Sequence, residues 1–392
     1  MLLPKNRLCG AVEIDWRKLR KTTKGRKTGI VMTPAAWIPG KGTVSEILLE
    51  SARVQGFLGL EHGLNGELQA GHQFENYIEQ ATGLPVYSYF SKGRVYPEEF
   101  VAAVDVVAYG VQDVGNSLWS FNYALLQTMI CCAKHKKKLV ILDLPPPFSY
   151  LGSRGPVYAH KSYKGAPPIP FIYNITSGEL ALYYRDALKL DLNLQVVRLK
   201  NWRRGVDYDD TGLPWIPPSA NLPTSDSAFC YNVTVLIEGT NLSEGRGTIR
   251  PFEYFGAPWL SSTKIVRSLN ARKLPGVAFR EIHFTPAFSK YKGQNCSGIH
   301  LVVLNRRICN PMRVLFELFL TLAREEPRFC FKSETDTVED MIGSRKLIEV
   351  IQKGGDYDEL VGTWDAECCG FNDRMESFLL YPALKSGKRK IW

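Results

Sequence analysis

Glu61-His62-Gly63 sets a carboxylate, an imidazole and a glycine directly after the apolar run 54–60. Such a run, bounded by turn residues, reads as a strand buried on both faces of a parallel sheet. Its carboxyl end is where open α/β sheets bind ligands. A carboxylic acid sheltered there can have its pKa raised by desolvation and act as a general acid near neutral pH, with His62 orienting it or binding a hydroxyl. Two later runs end in the same way: 104–111 leads into Gln112-Asp113, and 139–142 into Asp143. Any two of the three acids could form the acid/base or acid/nucleophile pair of glycoside hydrolysis. Either aspartate could equally cap a helix, and Glu61 could pair with an arginine.

A second polar stretch, 238–248, carries Glu238, Asn241, Glu244 and Arg246 among three glycines. Small residues let backbone amides approach a ligand, and these side chains can bond sugar hydroxyls or a carboxylate. The proline-stiffened stretch 217–223 carries Asn221. Trp202, Trp215 and Trp259 can stack on sugar rings or pack internally.

Other chemistries lack their signatures. The loop 34–42 holds neither GxGxxG nor GxxxxGK[ST], so no dinucleotide or P-loop site is expected. His62 and His72 stand ten apart, and nine cysteines include no CxxC, so neither metal nor cofactor is expected. The net charge of +10 favours an anionic partner. The lysine clusters at 134–138 and 385–390 lack interleaved aromatics and read as solvated ends, not as nucleic-acid contacts. No apolar span is long enough for a transmembrane helix. Residues 1–9 lack the apolar core of a signal peptide, which makes the cytoplasm the expected compartment, with a periplasmic or secreted location as the alternative.

The elements that must hold these residues follow from periodicity. Strands are expected at 27–33, 54–60, 84–90, 104–111, 138–142 and 195–199. Helices are expected at 43–52, 118–135 and 176–190. Alternating in this way, they predict a parallel sheet covered by helices on both faces, an α/β fold. Residues 144–175 read as a long ordered loop over the sheet rim. With 392 residues two domains are expected, 1–240 and 241–392. The second reads as α+β, with helices at 264–274, 313–325, 338–352 and 356–364, and strands near 276–284 and 299–304.

Several ordered blocks together resemble the YbbC/NamZ family of exo-β-N-acetylmuramidases. They are Glu61-His62-Gly63 with Gly66 and Gly71, residues 82–88, Gln112-Asp113-Val114-Gly115, residues 178–181, 218–223 and 238–248, and Gly256-Ala257-Pro258-Trp259. The resemblance spans about 28–382. It implies a Rossmann-like N-terminal domain, a C-terminal accessory domain, a cleft at their junction, and removal of terminal N-acetylmuramic acid from peptidoglycan fragments. The family's catalytic glutamate carries over onto Glu61. Departures fall where the family has arginine and tyrosines after its QDVG block: here stand Ser117, Leu118, Trp119 and Phe121. Leu64-Asn65 replaces an arginine, and Asp143-Leu144-Pro145-Pro146-Pro147 an Asp-Arg-Pro-Asn-Pro. Fewer cations for a muramic-acid carboxylate imply weaker preference for that sugar. A silent binding protein for cell-wall sugars is the competing expectation.

Overall fold

The computed structural model describes residues 12–93 and 95–383; the readings of residues 1–9 and 385–390 lie outside them. The described residues form two compact units. One comprises those up to 152, 174–220 and those from 374 onward; the other comprises 153–173 and 221–373. The units interleave in sequence, where the sequence reading has one boundary near 240.

In the first unit come α1 (Trp16–Thr23), β1 (Lys27–Met32), β2 (Trp37–Ile38), β3 (Gly42–Thr43), α2 (Val44–Leu49) and β4 (Arg53–Gly59). Then follow β5 (Tyr77–Ile78), β6 (Pro85–Ser88), α3 (Glu98–Ala102), β7 (Val106–Gly110), α4 (Ser120–Lys134) and β8 (Lys138–Leu142). The chain passes through β9 (Arg154–Tyr158) and β10 (Ile169–Ile172) of the second unit, and α5 (Ser177–Ala187) and β11 (Asn193–Val197) return to the first. Seven strands make one sheet in the order β11-β8-β7-β1-β4-β6-β5. Every pairing is parallel except that of β5 with β6.

The expected α/β fold is borne out, and its cause is visible in the strands. All five residues of β7 are buried, as are Ile30, Val31 and residues 139–142. Branched apolar side chains on both faces need helices on both faces. The chain winds outward from β1 through β4 and β6, then returns to place β7 on the other side of β1. The strand order therefore reverses between β1 and β7, and ligands of such sheets bind at the carboxyl ends beside that reversal. Helices α2 and α5 open with capping boxes, Thr43 with Glu46 and Thr176 with Glu179. Helix α4 has no side-chain cap. Just before it, Asn116 Oδ1 accepts from the Leu118 amide at 3.0 Å.

The second unit holds the β9–β10 ribbon, α6 (Ser225–Thr234), β12 (Tyr254–Ala257), α7 (Ser262–Ala271), β13 (Val277–Phe284) and β14 (Cys296–Val303). It continues with α8 (Pro311–Glu325), α9 (Val338–Ile342), α10 (Lys346–Lys353) and α11 (Asp358–Met375). Strands β12, β14 and β13, in that order, form an antiparallel sheet. The expected loop at 144–175 contains an antiparallel ribbon, because Pro156 and Pro170 are tolerated in a two-stranded ribbon made of edges. The single helix expected at 338–352 is broken at Gly343, whose φ of 70° ends α9 in the left-handed conformation. Among the described residues no helix is long and apolar enough to cross a membrane.

Candidate active site

Strand β4 ends at Gly59, and the Gly63 amide returns to the Leu60 carbonyl at 2.9 Å, folding 61–62 into a tight turn. Glu61 emerges half-buried at the carboxyl end of the sheet, one strand from the reversal. Its Oε1 accepts from the Gly71 amide at 3.3 Å and its Oε2 from Ser120 Oγ at 2.5 Å. Ser120 is the first residue of α4, the helix that follows β7, so a group from the other side of β1 fixes this carboxylate. Among the described residues Glu61 has no ion-pair partner. A half-exposed carboxyl held by two neutral donors keeps a fixed direction and remains open to a reacting oxygen, the geometry general acid catalysis requires.

His62 turns inward and is buried. Its Nδ1 lies 3.0 Å from the Leu68 carbonyl, and a carbonyl only accepts, so Nδ1 carries the hydrogen. The Leu68 amide donates back to the His62 carbonyl at 3.1 Å. The rings of Trp119 and Phe121 lie 6.2 and 6.1 Å from the imidazole. Trp119 and Phe121 therefore wall this histidine, and Ser120 between them holds Glu61. His62 shapes the turn that presents Glu61.

The two aspartates are buried. Asp113 Oδ1 accepts from the Gly115 amide at 2.6 Å, closing the turn after β7. Its charge adds to burial in pushing up the phenols of Tyr109 and Tyr184. Asp143, the third candidate acid, is fully buried and holds other parts of the protein together. It accepts from the Gly178 amide at the start of α5 (2.8 Å) and from the Tyr381 hydroxyl (2.5 Å). Burial pushes its carboxyl up to about 7, with Glu179 adding to the shift and these hydrogen bonds opposing it.

In the second unit Glu238, Glu244 and Arg246 come together. Arg246 Nη2 donates to Glu238 Oε1 at 2.7 Å, and its Nε lies 3.3 Å from Glu244 Oε1. The guanidinium also sits 5.0 Å over the Phe252 ring. Glu244 is buried, whereas the Glu238 side chain keeps 30% of its surface exposed. Burial and the nearby Glu244 push the Glu238 carboxyl up against the pull of Arg246. Gly245 is obligatory in this loop: its φ is 80°, and a Cβ would sit 2.3 Å from the Tyr254 carbonyl oxygen. Asn241 spends its side chain on the backbone, donating to Arg328 O (2.7 Å) and accepting from Cys330 N (3.1 Å). Asn221 is buried. Of the tryptophans, Trp202 packs edge-on against Tyr381, Trp215 against Tyr208, and Trp259 donates to Tyr291.

Two participants were not legible beforehand. Ser120 looks like any polar residue at a helix start. Lys290 looks like a surface lysine, yet its Nζ donates to the carbonyls of Ile237, Glu238, Thr240 and Leu242 at 2.7–3.1 Å and lies 3.4 Å from Glu244. One ammonium thus gathers the backbone that carries Glu238 and Asn241. Among the described residues no group of three or more His, Cys, Asp or Glu side chains could hold a metal ion.

A family model described as exo-beta-N-acetylmuramidase NamZ, N-terminal, matches residues 28–226, and its C-terminal counterpart matches residues 229–381. The peptidoglycan beta-N-acetylmuramidase NamZ of Bacillus subtilis (strain 168) is 33% identical over 366 residues, covering 92% of this chain and 88% of that one. Two solved structures from Bacteroides fragilis NCTC 9343, both DUF1343 family proteins, share the fold. BF0371 gives a TM-score of 0.83 at 26% identity, covering 95% of this chain and 99% of its own. BF0379 gives 0.73 at 25%, covering 95% and 100%.

Proposed function

The chain belongs to the exo-β-N-acetylmuramidase NamZ family, and from that premise we propose that it releases terminal N-acetylmuramic acid, or a closely related amino sugar, from peptidoglycan fragments. The observation that carries this reading is the half-exposed Glu61 carboxyl, fixed by Ser120 and Gly71 at the carboxyl end of the sheet. Glu61 protonates the glycosidic oxygen as the bond from that oxygen to the anomeric carbon breaks.

A second group must meet the developing positive charge. Asp113 and Asp143 are both buried and already engaged, Asp113 with the Gly115 amide and Asp143 with the Gly178 amide and the Tyr381 hydroxyl. Their burial favours the substrate's own acetamido oxygen, as in substrate-assisted glycosidases. That oxygen bonds to the anomeric carbon as the leaving group departs. Water then opens the cyclic intermediate, giving up a proton to the Glu61 carboxylate and restoring the acid.

The test is turnover of a 4-nitrophenyl β-N-acetylmuraminide beside binding of N-acetylmuramic acid. Turnover by the wild type that is lost in Glu61→Gln while binding persists supports the hydrolase. Binding without turnover in the wild type supports the silent sugar-binding protein instead.

A further inference from the structure

A cavity of about 330 Å³ lies in the first unit among α1, the β2–β3 hairpin and α2. It is lined by Trp16, Arg20, Trp37, Lys41, Ile47 and Glu50, with Gly40 and Gly42 in the hairpin turn. Glu61 is not among its walls. The hairpin leaves the carboxyl end of β1, the same end of the sheet from which Glu61 emerges.

The lining combines two features, partly exposed indoles and neighbouring cations. Trp16 and Trp37 are each left half-exposed, although indoles gain much from burial. Around them stand cations: Lys41 Nζ and the Arg17 guanidinium each lie 5.2 Å from the Trp16 ring centroid. Arg20 is only loosely held, 3.7 Å from a largely exposed Glu50. Helix α1 itself, WRKLRKTT, contains no acid. Of its two apolar residues, Leu19 is fully buried and Trp16 packs against the core with part of its ring exposed. The volume falls at the small end of the roughly 300–1,000 Å³ of ligand cavities, enough for a sugar ring.

We propose that this cavity is a second carbohydrate subsite, separate from the hydrolytic carboxyl, that takes a carboxylate-bearing sugar of the peptidoglycan fragment. The Trp37 indole offers a surface for the apolar face of the pyranose, and Arg20 with Lys41 bind its carboxylate. The assignment rests on the reading that the chain acts on peptidoglycan.

The experiment titrates the full-length Glu61→Gln chain with a peptide-free tetrasaccharide of alternating N-acetylglucosamine and N-acetylmuramic acid, and with neutral chitotetraose. Lys41→Met and Trp37→Leu are then added separately, each checked for an unchanged melting curve. The subsite predicts tetrasaccharide binding at least about tenfold weaker in each variant, chitotetraose bound more weakly than the tetrasaccharide, and, on the wild-type background, unchanged turnover of the small chromogenic muraminide. Unchanged tetrasaccharide affinity in both variants overturns it. So does equal binding of chitotetraose, or loss in the variants of binding only to phosphatidylglycerol vesicles. A wild type that fails to hydrolyse the muraminide while Lys41→Met still weakens the tetrasaccharide removes the hydrolase reading and supports the subsite.

Discussion

At the scale of single residues, the account turns on how one carboxyl is held. Ser120 is a positioning residue for Glu61, contributing a hydrogen bond to a group that must keep its direction. Ser120→Ala should lower kcat roughly 10- to 100-fold with little change in KM, and Ser120→Thr, which keeps a hydroxyl, should recover part of it. Equal losses in both variants, or a loss confined to KM, would contradict the positioning role. Lys290 acts on the second unit in the same way. Lys290→Met leaves four carbonyls without their shared donor and should cost about 2–4 kcal/mol, read from denaturant unfolding. Glu61 was legible because the strand that delivers it is local in sequence. Ser120 was not, since it reaches Glu61 from 59 residues away and only the sheet's winding order brings the two together.

At the scale of elements, the start of α5 is where the C-terminal segment is fastened. Glu179, in the capping box of α5, pairs with Arg204, and both side chains are almost wholly buried. The same carboxylate accepts from the Leu380 amide at 2.8 Å, while Tyr381 donates to Asp143. Breaking such a pair strands a buried charge, so Arg204→Met should destabilise by about 3–5 kcal/mol. Asp143 adds a pH dependence of defined sign. Folding raises its pKa from 3.8 to about 7, so the unfolded chain releases this proton first. Its contribution to stability is full below about pH 3.8 and is lost as pH rises through about 7. The melting temperature of Asp143→Asn should therefore fall less than that of the wild type between those two pH values. A parallel decline in both proteins would contradict the assignment. Helix starts with Thr and a later Glu were readable, because capping boxes are local. The break at Gly343 was not, because an apolar repeat runs through it on both sides and only the left-handed backbone reveals the stop. The β9–β10 ribbon was hidden by its prolines, which count against a strand unless its partner is known.

At the scale of the whole molecule, the parallel sheet was written plainly in runs of Val, Ile and Leu, since strands covered on both faces need no alternation. The interleaving of the two units was not, because residues 153–173 carry no compositional mark of belonging with 221–373. The net charge of +10 gives a further expectation: KM for an anionic peptidoglycan fragment should rise with ionic strength while kcat stays level. Family membership sets the chemistry to look for, and the direct measurement is single-turnover hydrolysis of the chromogenic muraminide by the wild type and by Glu61→Gln. The account predicts measurable release by the wild type, a loss of about 10²–10⁴-fold in the variant, and unaltered binding of N-acetylmuramic acid by both. Undiminished release by Glu61→Gln would contradict it.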